Sequence, residues 1–278
     1  MAHGLDRPGS RPCKRLRARP RRRAIHAAGL VAGLMGSTAA AAELPDAGSA
    51  RYELVEGGEP AGHVIMEWAF EADDTYRLER RRNLIQRPVR EDYEGDRRLR
   101  QTREVSEGTL DDGLPRPERY EVSTGTVFQD PGADPEPALE ALDPEPELTA
   151  RFTGDEAAAE AGETALPAQA LDPLAHRWHL MQEALEAEGR ARLTHTVADR
   201  EGEVREIAFR IEGHQTVRAE PGTFRTVRIV RHDPGAQRAE RWYLAQGWGG
   251  LPVRTVDSGS ERHAERTRLR RLEQAPDD

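Results

Sequence analysis

Residues 203–212 read EVREIAFRIE, and their alternation sets the fold class. Ile207, Phe209 and Ile211 fall opposite Glu206, Arg210 and Glu212, so in an extended chain one side is apolar and the other charged. This is the pattern of a sheet with one face on a core and the other in water. Upstream, Tyr52 and Leu54 alternate with Glu53, Gly57-Gly58-Glu59-Pro60 interrupts, and Val64, Met66, Trp68 and Phe70 resume on one face. That segment predicts a hairpin. Strands are expected over 75–86 and 97–106, with Tyr76 and Leu78 inward and the arginine clusters around Arg80 and Arg97 facing water. Another is expected over 118–128, after the turn-forming Asp111, Asp112 and Gly113 and the prolines 115 and 117. Downstream the expected strands are 190–198, 203–212, 214–219, 223–232, 238–246, 251–257 and 262–272.

One helix stands among them. Asp172 is a good N-cap, Pro173 suits the first helical position, and Leu171, Leu174, Trp178, Met181 and Leu185 recur at three- and four-residue steps until Gly189. Between about 129 and 170 the composition shifts to Pro, Ala, Asp and Glu, too poor in apolar surface to offset its ordering entropy, so a mobile acidic loop is expected. The acids there lack the alternating ligand spacing and turn glycine of a calcium loop. The expected fold is mainly β: a curved antiparallel sheet, an open or half barrel of about 10 strands, with one amphipathic helix and the acidic loop.

The N-terminus has a different character. Nine basic residues precede position 24, an uncharged apolar stretch runs from Ala24 to Met35, and small residues end at Ala40, Ala41 and Ala42. This is the three-part pattern of a cleavable secretory signal, residues 1–42, and the apolar stretch falls short of the about 20 residues that span a bilayer. A single β domain over 43–278, without a transmembrane anchor after cleavage, is therefore expected in the periplasm. Removing 1–42 leaves 32 basic against 49 acidic residues, a formal charge of −17, and takes away the sole cysteine, Cys13, and the sole lysine, Lys14. A domain so acidic is a poor binder of nucleic acid, whose phosphates need a positive surface.

Motifs of catalysis are sparse. No G-x-S-x-G occurs, Ser258 and Ser260 sit in a turn, and the glycines at 57, 58, 247, 249 and 250 lack the setting of a phosphate loop. His176 and His179 are three apart on the helix, a spacing that can put two imidazoles on one metal, but no third ligand is indicated nearby. They read as a solvated pair at the helix shoulder, and no metal or other cofactor is expected. Trp242, Tyr243 and Trp248 mark a place where a strand ends, turns on glycines and re-enters the sheet, with an apolar or carbohydrate-stacking wall as the alternative reading.

Several segments together resemble the exported bacterial proteins of domain-of-unknown-function family 3108. These are Glu220-Pro221-Gly222-Thr223-Phe224, Arg241-Trp242-Tyr243, Leu251-Pro252-Val253-Arg254, Leu171-Asp172-Pro173-Leu174, and Tyr52-Glu53-Leu54 with Gly58 and Gly62. The resemblance implies an envelope protein with a curved antiparallel sheet, similar to the open half-barrels of lipoprotein carriers, and brings no reaction or catalytic residues. The expected function is to hold an apolar small molecule, a lipid or a segment of an envelope protein in the concave sheet, with Trp68, Phe70, Phe209 and Trp242 as ligand-binding residues. A structural scaffold of the envelope and a hydrolase are the alternatives.

Overall fold

The computed structural model describes residues 46–86, 97–129, 142–153, 163–187, 189–232, 239–258 and 265–274. The expected signal, and residues 130–141 and 154–162 of the expected acidic loop, lie outside the described residues. Among the described residues the strands are β1 (Ala47–Glu56), β2 (Glu59–Phe70), β3 (Thr75–Gln86), β4 (Arg97–Asp111), β5 (Leu114–Gln129), β6 (Pro146–Arg151) and β7 (Thr164–Ala165), then β8 (Arg192–Ala198), β9 (Val204–Ala219), β10 (Gly222–His232), β11 (Ala239–Ala245), β12 (Pro252–Asp257) and β13 (Glu265–Gln274). Helix α1 (Pro173–Glu186) lies between β7 and β8.

All thirteen strands form one curved sheet in the order β7-β6-β5-β4-β3-β2-β1-β13-β12-β11-β10-β9-β8. Two antiparallel meanders, β1 to β6 and β8 to β13, meet where β1 pairs with β13. The sheet does not close, since β7 and β8 share no ladder. Instead Leu171 makes a single bridge to Val197, its amide donating to Thr196 O and its carbonyl accepting from Ala198 N. That contact draws the segment entering α1 onto the free edge of β8.

The helix fills the hollow of the sheet. Its N-cap Asp172 accepts the amides of Leu174 and Ala175 at 2.7 and 2.9 Å, two of the donors a helix start leaves unpaired. Its other carboxylate oxygen accepts the Ser106 hydroxyl at 2.6 Å, tying the helix start to β4. Trp178 buries its ring against Trp68 and Phe70, at 6.1 and 4.8 Å between centroids. Losing such a side chain costs about 3–5 kcal/mol. Gly250 closes the other side: its φ is +79°, and a Cβ there would meet the Met181 carbonyl oxygen at 2.6 Å. The helix ends at Glu186, with Ala187 as its C-cap, before the expected Gly189.

Three expectations need correction. The sheet has thirteen strands where about 10 were expected, partly because the region expected as an acidic loop supplies its edge. There, Ala150 and Phe152 point inward and are buried, with the half-buried Leu148 on the same side, so β6 docks on β5 and β7 follows in parallel. The Pro/Glu-rich composition hides this short period-two stretch. Residues 214–219 are no separate strand either, because β9 runs unbroken through Gly213 at φ +127°. Arg228 pairs with Gly213 and Ile229 with Ile211, so Glu212 is the extra residue of a β-bulge. Finally, Pro115 and Pro117 lie inside β5, where β4 shifts register between Glu107 and Gly108.

Candidate functional site

Neighbouring strands of the concave face bring one residue type into the interior that the sequence expectation placed in water. On β3, Tyr76, Leu78, Arg80 and Arg82 share one parity, and the sheet points them all inward. Arg80 is 7% exposed. It donates to Glu104 of β4 at 2.6 Å, and Arg200, between β8 and β9, donates to the same carboxylate through Nε and Nη2 at 3.0 and 2.9 Å. The Tyr120 hydroxyl donates to it at 2.8 Å. Burial alone would raise the Glu104 carboxyl, but the two guanidiniums outweigh it and hold it well below the usual range.

In front of this group lies a cavity of about 290 Å³, near the lower end for ligand sites. Its walls carry Arg80, Arg82, Arg177 and Arg200 together with Glu240, Asp257 and Glu265. Tyr52, Thr255 and Thr267 add hydroxyls, and Val64, Met66 and Pro252 form its apolar side. Register explains the assembly: Arg82 faces Val64, Arg80 faces Met66, Tyr52 faces Val64, Thr255 faces Thr267 and Asp257 faces Glu265 across adjacent strands.

Most of these charges are already matched. Arg82 pairs with Glu265, Arg80 and Arg200 share Glu104, and Glu240 accepts the Trp242 indole N–H at 2.7 Å. Arg177 differs. Its guanidinium lies over the Trp242 ring, 4.7 Å from the centroid, and makes no hydrogen bond or ion pair among the described residues. Burial first, and Arg80 second, bring it down to about 10, so it remains a cation at neutral pH. Tyr52 places a buried hydroxyl without a partner in the same wall, and burial pushes its ionisation well above the ordinary value. Among the described residues, the hydroxyls of the cavity wall are those of Tyr52, Thr255 and Thr267.

The four side chains expected to bind a ligand lie elsewhere. Trp68 packs with Phe70 on Trp178, while Phe209 and Trp242 pack on each other at 5.5 Å, and none of them lines the cavity. Trp242 acts on the cavity only as the surface beneath Arg177 and the donor to Glu240. Of the aromatic group at the end of β11, Trp242 and Tyr243 are core residues, and Trp248 sits half-exposed in the turn before β12.

The histidines also depart from expectation. His176 and His179 are 6% and 5% exposed, buried against β8 where a solvated pair was expected. Two further groups join His179: Glu183, one turn along α1, and His195 of β8 bring donor atoms within 4.8 Å of one another and of His179. The signal was present as the i, i+4 pair His179 and Glu183; the strand partner could only come from the tertiary fold.

No family model matches the chain, and no curated protein sequence matches it. Among solved structures, a β-barrel-like protein of domain-of-unknown-function family 1849 from Brucella abortus is 13% identical, covers 83% of this chain and 98% of its own, and gives a TM-score of 0.49. A Bacteroides fragilis protein with a YmcC-like fold, named for export, is 11% identical over 84% of this chain and 98% of its own, with a TM-score of 0.31. With TM-scores under 0.5, these likenesses transfer neither a family nor a function.

Proposed function

We propose that the protein is an exported binding protein of the bacterial envelope that holds a small anionic ligand in the arginine-lined cavity. The charged end would sit on Arg177 and the Tyr52 hydroxyl, with a short apolar part along Val64, Met66 and Pro252. The observation that carries this reading is the Arg177 guanidinium, held over Trp242 with no hydrogen-bonded or ion-paired carboxylate among the described residues. A cation withdrawn from water gains strongly from an anion placed beside it, and Arg suits planar recognition of carboxylate or phosphate. Export follows from the N-terminal pattern, and family 3108 from the order of its motifs; both belong to the same proposal. The apolar ligand expected from the sequence gives way here to an amphiphilic one, because the polar groups lie in the cavity and the aromatic side chains in the core.

Calorimetric titration with sodium octanoate and with inorganic phosphate tests the proposal, with choline chloride as a cationic control. Arg177→Met keeps the aliphatic stem over Trp242 and removes the charge. The expected result is binding of at least one anion, weakened about tenfold or more in the variant, since a hydrogen bond to a charged group contributes about 1.5–3 kcal/mol. Anion binding unchanged in a folded Arg177→Met, or no binding of either anion, would overturn it.

A further inference from the structure

We infer that His179, Glu183 and His195 form a site for one divalent transition-metal ion of the zinc type, on the flank of α1 that faces β8. The hydrogen bonding of His179 is the first ground. Its Nε2 lies 2.8 Å from the Pro115 carbonyl oxygen, which can only accept, so Nε2 carries the proton and donates. In the neutral ring Nδ1 is then a bare lone pair, and it faces Glu183 Oε1 at 3.9 Å. Two acceptors turned toward each other in a largely buried place leave a gap that suits a cation. A ring nitrogen free for a metal, with the other N–H held by a backbone carbonyl, is how metal-binding histidines are usually oriented.

The second ground is the convergence of the donors. His195 Nε2 lies 3.0 Å from Glu183 Oε2, and all three donor atoms fall within 4.8 Å of one another. Zinc holds nitrogen and oxygen ligands at about 2.0–2.2 Å, which places tetrahedral donors about 3.4 Å apart, so side-chain movements of about an ångström complete the set. Two ligands stand one turn apart on a helix and the third on a strand, so all three are carried by rigid elements. The Glu183 side chain is 34% exposed, which leaves a route for the ion and a fourth position for water. Metal at His195 Nε2 moves that ring's proton to Nδ1, which is buried and without a partner. The His176 ring meets it edge-on at 5.1 Å and carries an unpartnered Nε2 of its own.

This proposal is independent of the anion cavity. The rival occupant of the gap is a proton on His179 Nδ1, making an ion pair with Glu183. The test uses the chain stripped with EDTA, dialysed against zinc alone, with Co²⁺ absorption as a second probe. One equivalent of zinc is expected, with affinity lowered at least about tenfold in Glu183→Gln and in His195→Gln. His214→Gln, on β9, should bind as the parent does. Should either variant fail to fold, nitrogen chemical shifts of the parent's histidines decide the matter, because zinc must shift His179 at Nδ1 and His195 at Nε2. No zinc retained at about 50 μM free ion, equal affinity in both ligand variants, or unshifted ring nitrogens would overturn the assignment.

Discussion

Replacing Glu104 with Gln exchanges one oxygen of a buried, heavily shared carboxylate for an NH2 group. Glu104 is 1% exposed and accepts from Arg80, Arg200 and Tyr120 together. The glutamine oxygen can keep the Tyr120 bond, but its NH2 group then points donors at donors. Arg80, whose side chain is 9% exposed, is left as a buried cation without its counter-charge, and removing one partner of such a pair costs about 3–5 kcal/mol. Arg200 adds little, because its side chain is 39% exposed and can turn to water. For a domain of this size the loss corresponds to a fall of about 6–20 °C in Tm, at about 2–4 °C per kcal/mol. Urea unfolding at pH 7, followed by circular dichroism, measures it directly.

The pH dependence adds a second constraint. The Glu104 carboxyl is depressed in the fold, so its stabilisation is present above the ordinary value of 4.5 and is lost as pH falls below it. The gap between parent and variant should therefore be widest near neutrality and shrink in acid. Adding Arg80→Met to Glu104→Gln removes the stranded cation, and the double variant should recover at least about half of the loss. A loss under about 1 kcal/mol for Glu104→Gln, or strict additivity with Arg80→Met, would refute the reasoning.

Two further outcomes follow from buried polar groups. Asp172 is raised from 3.8 to about 6, first by burial, so its ionised form opposes folding, and that part of the stability is present below 3.8 and lost as pH rises through about 6. Asp172→Asn keeps an oxygen for the helix amides; it should flatten the pH profile of the urea midpoint between about 4 and 6, by up to about 3 kcal/mol, whereas an unaltered profile would place the proton elsewhere. Tyr52→Phe removes a buried hydroxyl that has no partner, so it should leave stability unchanged or raise it by about 1 kcal/mol while weakening octanoate or phosphate binding. A destabilised Tyr52→Phe, seen in thermal melts, would mean that the hydroxyl is satisfied in solution.

Local alternation and capping made the sheet and its helix legible. Ile207, Phe209 and Ile211 announced β9, and Asp172-Pro173 announced α1, because both signals act over a few residues and survive any tertiary context. The site was harder to read because its residues broke the rule that charge faces water. Tyr76 and Leu78 were read as inward, and parity alone then places Arg80 and Arg82 on the same face. A buried guanidinium without a counter-charge is costly, which argues for placing these arginines in water, and the counter-charge, Glu104, sits 24 residues away on the next strand. Arg177 and His195 pose the same difficulty: each acquires its role from a partner on another element.

Helix α1 turns these separate partners into one arrangement. Residues two apart on a helix stand about 200° apart around its axis, so Arg177 and His179 must leave on opposite flanks while Trp178 between them is driven into the sheet. Burying Trp178 against Trp68 and Phe70 therefore fixes both flanks at once, Arg177 over Trp242 at the cavity and His179 beneath the Pro115 carbonyl. A change that rotates the helix should disturb both sites together, whereas Arg177→Met and Glu183→Gln should each affect only one. The apolar stripe thus supplies rigidity, and the polar residues beside it reach the cavity on one flank and the His179, Glu183 and His195 cluster on the other.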